Sequence, residues 1–349
     1  MKRSILICLS MCFLLIIVGC QTGQKNVVVI AENELDIARE NETVVLQVAE
    51  LGDAFQAVEP GQVSVKEQGS DGDILCQLLD LNEDGMYEEL VFQSHFAAHE
   101  TKKFIIAKAN EAVEKDVESK VYARFVPERK DDFAWENNRI AYRMYGPALQ
   151  ATGEISSGVD VWVKSVRDLV IDKWYKMDDY HVDHGEGLDY YKVGPSRGCG
   201  GLAIWQDGEM IPSKNFTDWT ILANGPIRTV FELTYAPWNV DGMQVSEVKR
   251  VTLDANTNLN KFESTFETSE QELMYAIGIV QREENGFFES DESAGWMCYW
   301  EPPHEEHGSV GCAVVIDPAE VEKLTEAQGH YLAIAATQQD QSAVRSEEN

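Results

Sequence analysis

One glycine-rich stretch, from Asp179 to Trp205, concentrates side chains that can move protons or bind charge. They include two histidines, three carboxylates, two adjacent phenols and one arginine: His181, His184, Asp183, Glu186, Asp189, Tyr190, Tyr191 and Arg197. Six glycines in the same stretch permit backbone conformations that residues with a Cβ atom resist. Loops on a rigid scaffold commonly carry function. The pattern therefore predicts a folded loop that forms the floor of an active site.

A second cluster of candidate ligand-binding residues lies at residues 133–149. Trp135 and Tyr145 offer flat faces on which sugar rings stack, while Arg139 and Arg143 offer planar forks that bind carboxylate or sulfate in two places. An amphipathic strand whose arginines pair with nearby acids explains the same residues. Other candidate substrate contacts are Trp205, Trp300 and His304.

Metal binding is an alternative use of the histidines. His181 and His184, together with a carboxylate and with His304 or His307, would form a zinc or calcium site if their loops converge. A His-x-x-His spacing among glycines is a weak signal on its own. No cofactor is certain from the sequence, and zinc or calcium stays open.

A partial calcium motif occurs earlier in the chain. Residues 80–85, Asp-Leu-Asn-Glu-Asp-Gly, match the first half of a calcium loop, but Val91 stands at the twelfth position, where a bidentate glutamate belongs. A hairpin turn built on Asp84 and Gly85 explains the segment without a metal.

The first twenty residues have the pattern of a bacterial lipoprotein signal peptide. Met-Lys-Arg precedes an apolar run from Ile5 to Val18, which ends in Gly19-Cys20. The run is too short to span a membrane. Cleavage before Cys20 and lipidation of its thiol would anchor the mature chain to a bacterial membrane, on the periplasmic or cell-surface side.

The amino-acid composition limits which binding partners are expected. The chain has 60 acidic and 29 basic residues and a formal net charge of −31, so nucleic acid is not an expected partner. Screening over about 8 Å at physiological salt lets a local arginine cluster bind an acidic polysaccharide all the same. Four cysteines remain beyond Cys20, at spacings that fit no zinc motif and allow one or two disulfides: Cys76, Cys199, Cys298 and Cys312.

Short alternating or β-branched runs separated by polar turns dominate the chain, and long helical patterns are scarce. They predict an all-β protein in three parts. Residues 1–19 are the signal peptide and residues 20–119 form a small antiparallel β domain. Residues 120–349 form a large antiparallel sandwich that ends in a polar tail. Such sandwiches present a concave face suited to oligosaccharides.

Three separated motifs resemble a known family. They are residues 135–149, the His-x-Asp-His-Gly-x-Gly-x-Asp-x-Tyr pattern at residues 181–191 with Arg197-Gly198, and residues 224–232, Asn-Gly-Pro-Ile-Arg-Thr-Val-Phe-Glu. The chain is similar, from about Val27 to Ala336, to a family of bacterial lipoproteins first named as a domain of unknown function. That family is encoded in polysaccharide-utilisation clusters and includes an oligosaccharide dehydratase of ulvan breakdown.

The resemblance implies a galactose-mutarotase-like sandwich and a substrate with a uronic acid at its non-reducing end. Elimination across C4 and C5 of a uronate needs a neutralised carboxylate, a base and an acid for the departing oxygen. Arg197 or Arg143 is a candidate for the first role and His184 for the second. Tyr191 or Tyr190 is a candidate acid, and Asp183 or Asp189 a candidate partner for the imidazole.

Two other classes of function fit the same residues. A glycoside hydrolase would use a pair of carboxylates, for which the candidates are Glu186, Asp189 and Glu301. A non-catalytic glycan-binding lipoprotein would use aromatic platforms, here Trp135, Trp205, Trp296 and Trp300. Clustered histidine, tyrosine and arginine favour elimination, giving a dehydratase or a polysaccharide lyase.

Overall fold

The computed structural model describes residues 15–17 (backbone), 26–109, 117–270 and 272–337. These residues form twenty-four strands, three short α-helices and two 3₁₀ turns. Every pairing between named strands is antiparallel, and the strands assemble into six sheets. The prediction of an all-β antiparallel sandwich is confirmed; the finer likeness to galactose mutarotase stays a prediction.

The N-terminal part is a sandwich of two sheets, with strand orders β1-β2-β7-β4 and β3-β6-β5. Burial alternates along its strands, so one face of each sheet packs into a shared core around Val29, Phe92 and Phe104. Its elements are β1 (Leu15–Ile17), β2 (Asn26–Glu32), β3 (Arg39–Gln47), the 3₁₀ turn Val48–Glu50, α1 (Asp53–Gln56), β4 (Val63–Glu67), β5 (Cys76–Leu79), β6 (Glu89–Phe96) and β7 (Thr101–Lys108).

The next strands form what we call the site sheet, in the order β12-β11-β10-β9-β8. It consists of β8 (Val121–Val126), β9 (Asp132–Asn137), β10 (Ile140–Met144), β11 (Asp160–Lys164) and β12 (Gly187–Leu188). Between these strands lie the 3₁₀ turn Pro127–Arg129, α2 (Pro147–Ala151) and α3 (Ile171–Met177).

Three further sheets complete the C-terminal part. Their orders are β14-β13-β19-β24-β23, β15-β16-β17-β18 (the long sheet) and β20-β21-β22. The strands are β13 (Cys199–Gln206), β14 (Glu209–Ile211), β15 (Asp218–Asn224), β16 (Arg228–Val240), β17 (Met243–Asp254), β18 (Asn260–Glu267), β19 (Met274–Val280), β20 (Phe287–Asp291), β21 (Trp296–Trp300), β22 (Gly311–Val315), β23 (Val321–Ala327) and β24 (His330–Ala336).

The site sheet is buried on both faces. Side chains on the inner face, such as those of Trp135 and Tyr142, pack in the main core, where Trp135 contacts Phe231 of the long sheet. Side chains on the outer face pack in a second core, which α3 covers. There Trp162 stacks on Trp174 with ring centroids 5.8 Å apart. Polar side chains on this outer face are therefore taken out of water.

The described strands of the two parts end at Lys108 and resume at Val121, so the predicted boundary after residue 119 falls in the segment between them. Cys20, most of the predicted signal peptide and residues 338–349 lie outside the described residues. β1 lies within the predicted signal peptide, and cleavage before Cys20 would leave β2 as an edge strand. In the part of the chain that the structure describes, no helix has the length and apolarity needed to cross a membrane.

Candidate functional site

The loop predicted to form a site runs along the edge of the site sheet. The backbone N–H of Ser165 donates to the carbonyl of Glu186 at 2.9 Å, which ties the loop to the end of β11. Gly187 has a φ of 110°, and a Cβ atom there would lie 2.1 Å from the carbonyl oxygen of Val163. Only glycine permits this close edge pairing, which sets the position of the residues that follow.

Beneath the loop lies a buried group that we call the acid cluster, made of Asp132, Asp160, Asp189 and Arg143. The Nη2 atom of Arg143 is 2.6 Å from Asp160 Oδ2 and 2.8 Å from Asp189 Oδ2, and Nη1 is 3.7 Å from Asp132 Oδ2. No member is more than 7% exposed. One guanidinium thus faces three carboxylates in a region that excludes water.

Burial of three acids around one cation changes their protonation. Burial raises the pKa of Asp189 to about 8 and that of Asp132 to about 6, and it also raises the pKa of Asp160, although Arg143 opposes each shift. Burial alone would lower the pKa of Arg143, but Asp160 and its neighbours raise it well above the ordinary value. Burial therefore favours a retained carboxyl proton in the Asp160 and Asp189 pair.

Aromatic side chains close the acid cluster from the outside. The Tyr175 hydroxyl donates to Asp132 Oδ2 at 3.2 Å, and the Tyr180 oxygen accepts from Arg129 Nε at 2.7 Å and from Arg143 Nη1 at 3.3 Å. The Arg143 guanidinium also lies 5.1 Å from the ring centroid of Tyr145. These contacts fix Arg143 in one orientation.

His181 connects the acid cluster to the surface. Its Nδ1 atom is 2.8 Å from the backbone carbonyl of Asp189 and 3.5 Å from the Oδ2 atom of the same residue, and its side chain is 61% exposed. A carbonyl oxygen only accepts hydrogen bonds, so Nδ1 carries the proton of the neutral ring and Nε2 presents a free lone pair. No described residue bonds to Nε2. The structure thus gives His181 the geometry of a general base.

His184 and Asp183 lie at the outer turn of the loop. His184 Nε2 is 3.2 Å from Asp179 Oδ2, and both side chains are widely exposed. The Asp183 carboxylate accepts from the N–H groups of Gly185 and Gly187, which lower its pKa together with the nearby His307. The carboxylate beside His184 is therefore Asp179, and the one beside His181 is Asp189.

Tyr190 belongs to a neighbouring group, the histidine patch, with His304 and His307. The Tyr190 ring centroid is 5.4 Å from that of His307 and 6.0 Å from that of His304, and the two imidazoles stack at 4.7 Å. Tyr190 is half-buried, and burial raises its pKa. It is a phenol that a surface ligand can reach.

Tyr191 lies beneath this patch. It is 3% exposed, burial raises its pKa well above the ordinary value, and its hydroxyl lies beside the Cys312 thiol. Arg282 lies 4.3 Å from its ring centroid and forms a two-point ion pair with Glu301 at 2.7 and 2.6 Å. Tyr191 and Glu301 are thus held below the surface that carries Tyr190.

Arg197, a predicted substrate ligand, is 2% exposed. Its guanidinium donates to Ser157 Oγ at 2.9 Å and to the carbonyls of Leu202 and Pro195 at 3.1 Å, and burial lowers its pKa to about 10. Its backbone N–H donates to Nε2 of His330 at 3.0 Å. Like Arg143, it is occupied inside the protein, whereas Arg139 is exposed.

The predicted aromatic platforms lie in different environments. Trp135 is fully buried, stacks on Tyr142 and donates from Nε1 to Asn260, so it has no open face. Trp205 and Trp296 are partly buried. Trp300 is 56% exposed and pairs across the strands with Phe287, which is 61% exposed.

The histidines do not assemble a three-ligand metal site. Among the described residues, the group of three side chains with ligand atoms within 4.8 Å of one another is Asp80, Asp84 and Glu88, in the partial calcium motif. Asp80 Oδ2 accepts from the Gly85 N–H, and Glu88 Oε2 accepts from the Leu81 N–H. These bonds close the turn by themselves. Cys199, Cys298 and Cys312 form no disulfide among the described residues, and the Cys76 thiol donates to the carbonyl of Val63 at 3.7 Å.

Sequence reasoning missed Asp132 and Asp160, the other two acids around Arg143, and Arg282, the partner of Glu301. A signal was available at Asp160, because it lies directly before the apolar run Val-Trp-Val of β11. A charged residue on a buried strand requires a partner. It also missed His181 as a base, since spacing alone could not show which histidine lies over a carboxylate.

Together, the fold and site define an all-β antiparallel protein with a loop of acid–base side chains at a sheet edge. The chain belongs to the family described as a domain of unknown function, DUF4861, whose model matches residues 31–344. It is 35% identical over 300 residues to "Uncharacterized protein P7" of Formosa agariphila, covering 81% of this chain and 74% of that protein. No solved structure matches the chain.

Proposed function

We propose that the protein is a carbohydrate-active carbon–oxygen lyase that forms a 4,5-unsaturated uronate from an acidic oligosaccharide. The observation that supports this most is His181: its Nδ1–H is fixed by the carbonyl of Asp189, and its Nε2 atom is free at the surface. The resemblance of residues 135–149, 181–191 and 224–232 to a family with an oligosaccharide dehydratase supports the substrate class.

In the proposed reaction, Nε2 of His181 removes the proton on C5 of the uronate. The electron pair of that C–H bond becomes the C4–C5 double bond, and the C4–O bond breaks. The departing oxygen takes a proton and leaves as water in a dehydratase, or as the shortened sugar chain in a lyase. Tyr190 is the accessible phenol of the loop and is the proposed proton donor.

The acid cluster positions the base in this scheme. Asp189 holds the imidazole through its backbone carbonyl, and Arg143 holds the Asp189 carboxyl at 2.8 Å. The Oδ2 atom of Asp189 lies 3.5 Å from Nδ1 of His181, so the ionised form of this carboxyl would stabilise an imidazolium formed in the reaction.

The proposed setting is a lipid anchor at Cys20 on the outer side of a bacterial membrane. The folded chain then meets acidic oligosaccharides or polysaccharides released outside the cytoplasm. The signal-peptide pattern of residues 1–20 supports this location.

Glycan binding without catalysis is a second candidate, favoured by the exposed pair of Trp300 and Phe287. Hydrolysis receives less support, because each candidate carboxylate is engaged by a different cation: Glu186 by Lys173, Asp189 by Arg143 and Glu301 by Arg282. Retaining and inverting hydrolases need a facing pair of free carboxyl groups.

The test is to incubate the mature protein with uronate-ended oligosaccharides and to follow ultraviolet absorbance and product mass. New absorbance with loss of one water identifies a dehydratase, and absorbance with chain shortening identifies a lyase. His181→Ala should reduce turnover at least about 100-fold, whereas His184→Ala should stay within about threefold. Absorbance that is unchanged by His181→Ala would remove this histidine from the mechanism, and binding without any new absorbance would favour the glycan-binding function.

A further inference from the structure

Two exposed arginines, Arg139 and Arg167, have no carboxylate partner among the residues that the structure describes. Six of the described arginines form ion pairs with acids: Arg39, Arg124, Arg143, Arg228, Arg250 and Arg282. Arg129 donates to the Tyr180 hydroxyl, and Arg197 is buried among carbonyls. For Arg139 and Arg167, no described carboxylate oxygen lies within ion-pair distance. Acids outnumber bases two to one, so two free guanidinium groups are unexpected.

Both free arginines line the same cavity. It has a volume of about 220 Å³ and is bounded by Arg139, Lys164, Ser165, Val166, Arg167 and Asn258. These residues come from three separate turns: the β9–β10 turn, the segment after β11, and the turn between β17 and β18. The sequence suggested Arg139 as a ligand but gave no reason to place Arg167 beside it.

The cavity walls are held in place by hydrogen bonds between the turns. The side chains of Asn138 and Asn256 are joined at 2.8 Å, and the Asn256 N–H donates to Asn138 Oδ1 at 2.8 Å. Arg167 Nη1 donates to the Asn138 carbonyl at 3.3 Å, and the Tyr142 hydroxyl donates to the Asn258 carbonyl at 2.7 Å. A ligand would therefore meet a preorganised site.

The charge left free in the cavity is positive. The Lys164 ammonium is neutralised from below by Glu136, at 2.7 Å. Asp168 is exposed and acts electrostatically on the Lys164 ammonium, but it is not within ion-pair distance of Arg167. A second cavity, of about 270 Å³, offers a contrast, because there Arg250 is paired with Glu232 at 2.7 Å and Glu263 adds a further acid.

We propose that Arg139 and Arg167 form an oxyanion-binding subsite that binds one carboxylate or sulfate group of an acidic saccharide. Guanidinium groups bind such planar or tetrahedral oxyanions at two points. The volume is below the 300–1,000 Å³ usual for whole ligands, so it suits one charged substituent rather than a sugar chain. That the anion belongs to a saccharide rests on the proposed function; the binding of an oxyanion does not.

The subsite is coupled to the candidate catalytic loop. Ser165, in the cavity wall, donates its N–H to the Glu186 carbonyl and its hydroxyl to the Gly185 carbonyl. Arg139, in the β9–β10 turn, lies four residues before Arg143, which is at most about 13 Å along an extended chain. A saccharide whose reacting uronate lies at His181 would thus place a second acidic group, not the reacting one, at Arg139 and Arg167.

Binding to the mature protein tests the subsite without any need for turnover. Calorimetric titrations at constant ionic strength would use sodium sulfate, glucuronate and glucose, with Arg139→Gln/Arg167→Gln as the test variant and Arg250→Gln as the matched control. We expect saturable binding of sulfate or glucuronate, no binding of glucose, an unchanged affinity in Arg250→Gln, and a loss of at least about tenfold in the double variant. Sulfate alone would assign a sulfate ester, and glucuronate alone a uronate.

Two results would overturn the subsite: absence of saturable binding to the wild-type protein, or equal binding to the double variant. Activity separates this proposal from the proposed function. With an acidic oligosaccharide, the double variant should raise KM with little change in kcat, whereas His181→Ala should lower kcat and leave anion binding intact. Arginine-dependent anion binding without any turnover would retain the subsite and reject the lyase.

Discussion

At the scale of single residues, the acid cluster makes stability depend on pH. The pKa of Asp189 is about 8 in the folded protein, against about 3.9 in an unfolded chain. Between these values the folded protein holds a proton that the unfolded chain has lost. The protonated Asp189 carboxyl therefore contributes fully to the free energy of unfolding below about pH 4, and this contribution is lost as pH rises through about 8.

Asp189→Asn should remove this dependence, because the amide does not ionise. We expect the free energy of unfolding of the wild-type protein to fall between pH 6.5 and 8.5, and that of Asp189→Asn to change much less over the same interval. Urea denaturation at each pH measures this. Asp132→Asn is the control. Because the pKa of Asp132 is about 6, this group titrates mostly below the interval, and the variant should show the same fall as the wild-type protein. Parallel curves for wild type and Asp189→Asn would show that Asp189 is already ionised.

Arg143 should be indispensable for the fold, although it was expected to bind substrate. Its removal leaves three buried carboxylates without a cation, and breaking a buried ion pair costs about 3–5 kcal/mol. Arg143→Met should lose about that much stability in denaturant titrations, and more at high pH. Arg139→Met, four residues earlier but exposed, should stay within about 0.5 kcal/mol. Equal losses in the two variants would contradict the role of the acid cluster.

The sequence predicted a candidate site in one loop but not which of its side chains contact one another. Residue types and glycines located the loop at residues 179–205, and the structure does bring His181, Asp189 and the acid cluster together there. The sequence led us to expect His184 as the base, because both histidines have aspartates nearby in sequence and spacing alone did not favour His181. Which one lies over Asp189 depends on how the loop crosses the edge of β11, a tertiary contact that local spacing does not encode.

At the scale of elements, the sequence predicted the strands better than the way in which the sheets pack on one another. The alternation in β16, β17 and β18 follows directly from one buried and one exposed face. Residues 161–175 contain most of β11 and the start of α3, joined by residues 165–170. The site sheet is buried on both faces, so alternation of apolar and polar residues weakens there, and polar residues such as Glu136 occupy buried positions.

Glu136 anchors α3 onto the site sheet. Its carboxylate accepts from the N–H groups of Val170 and Ile171, at the start of α3, and pairs with the buried Lys164 at 2.7 Å. These bonds satisfy donors that a helix start leaves without partners. A seven-residue helix is thereby held over the outer face of the sheet.

Glu136→Gln should therefore destabilise the protein by about 3–5 kcal/mol, because the buried Lys164 ammonium would lose its carboxylate partner. Amide hydrogen exchange in α3 should speed up together with this loss. Glu128→Gln is the matched control, since it removes a charge from an exposed pair with Arg124 that is worth at most about 1 kcal/mol. If both variants lost the same small amount, the anchoring role of Glu136 would be wrong.

At the scale of the whole molecule, two separate cores meet at a polar junction. Gln77 of β5 is 8% exposed and accepts from the backbone N–H groups of Ile227 and Arg228, at 2.9 Å each, while its own amide donates to the Arg228 carbonyl at 3.0 Å. Arg228 in turn pairs with Glu89 of β6 and Asp254 of β17. The N-terminal sandwich is thus joined to the long sheet by backbone and side-chain bonds.

Because two cores share this junction, cooperative unfolding should depend on it. Gln77→Ala leaves two buried N–H groups without an acceptor, at a cost of about 1–3 kcal/mol. Calorimetry should show one transition for the wild-type protein, and a lower, broader or divided transition for Gln77→Ala. Gln47→Ala removes only an exposed contact with Glu89 and should leave the transition unchanged. A single transition with the wild-type midpoint in Gln77→Ala would mean that the apolar contact of Leu79, Val91 and Ile227 joins the two cores without help from Gln77.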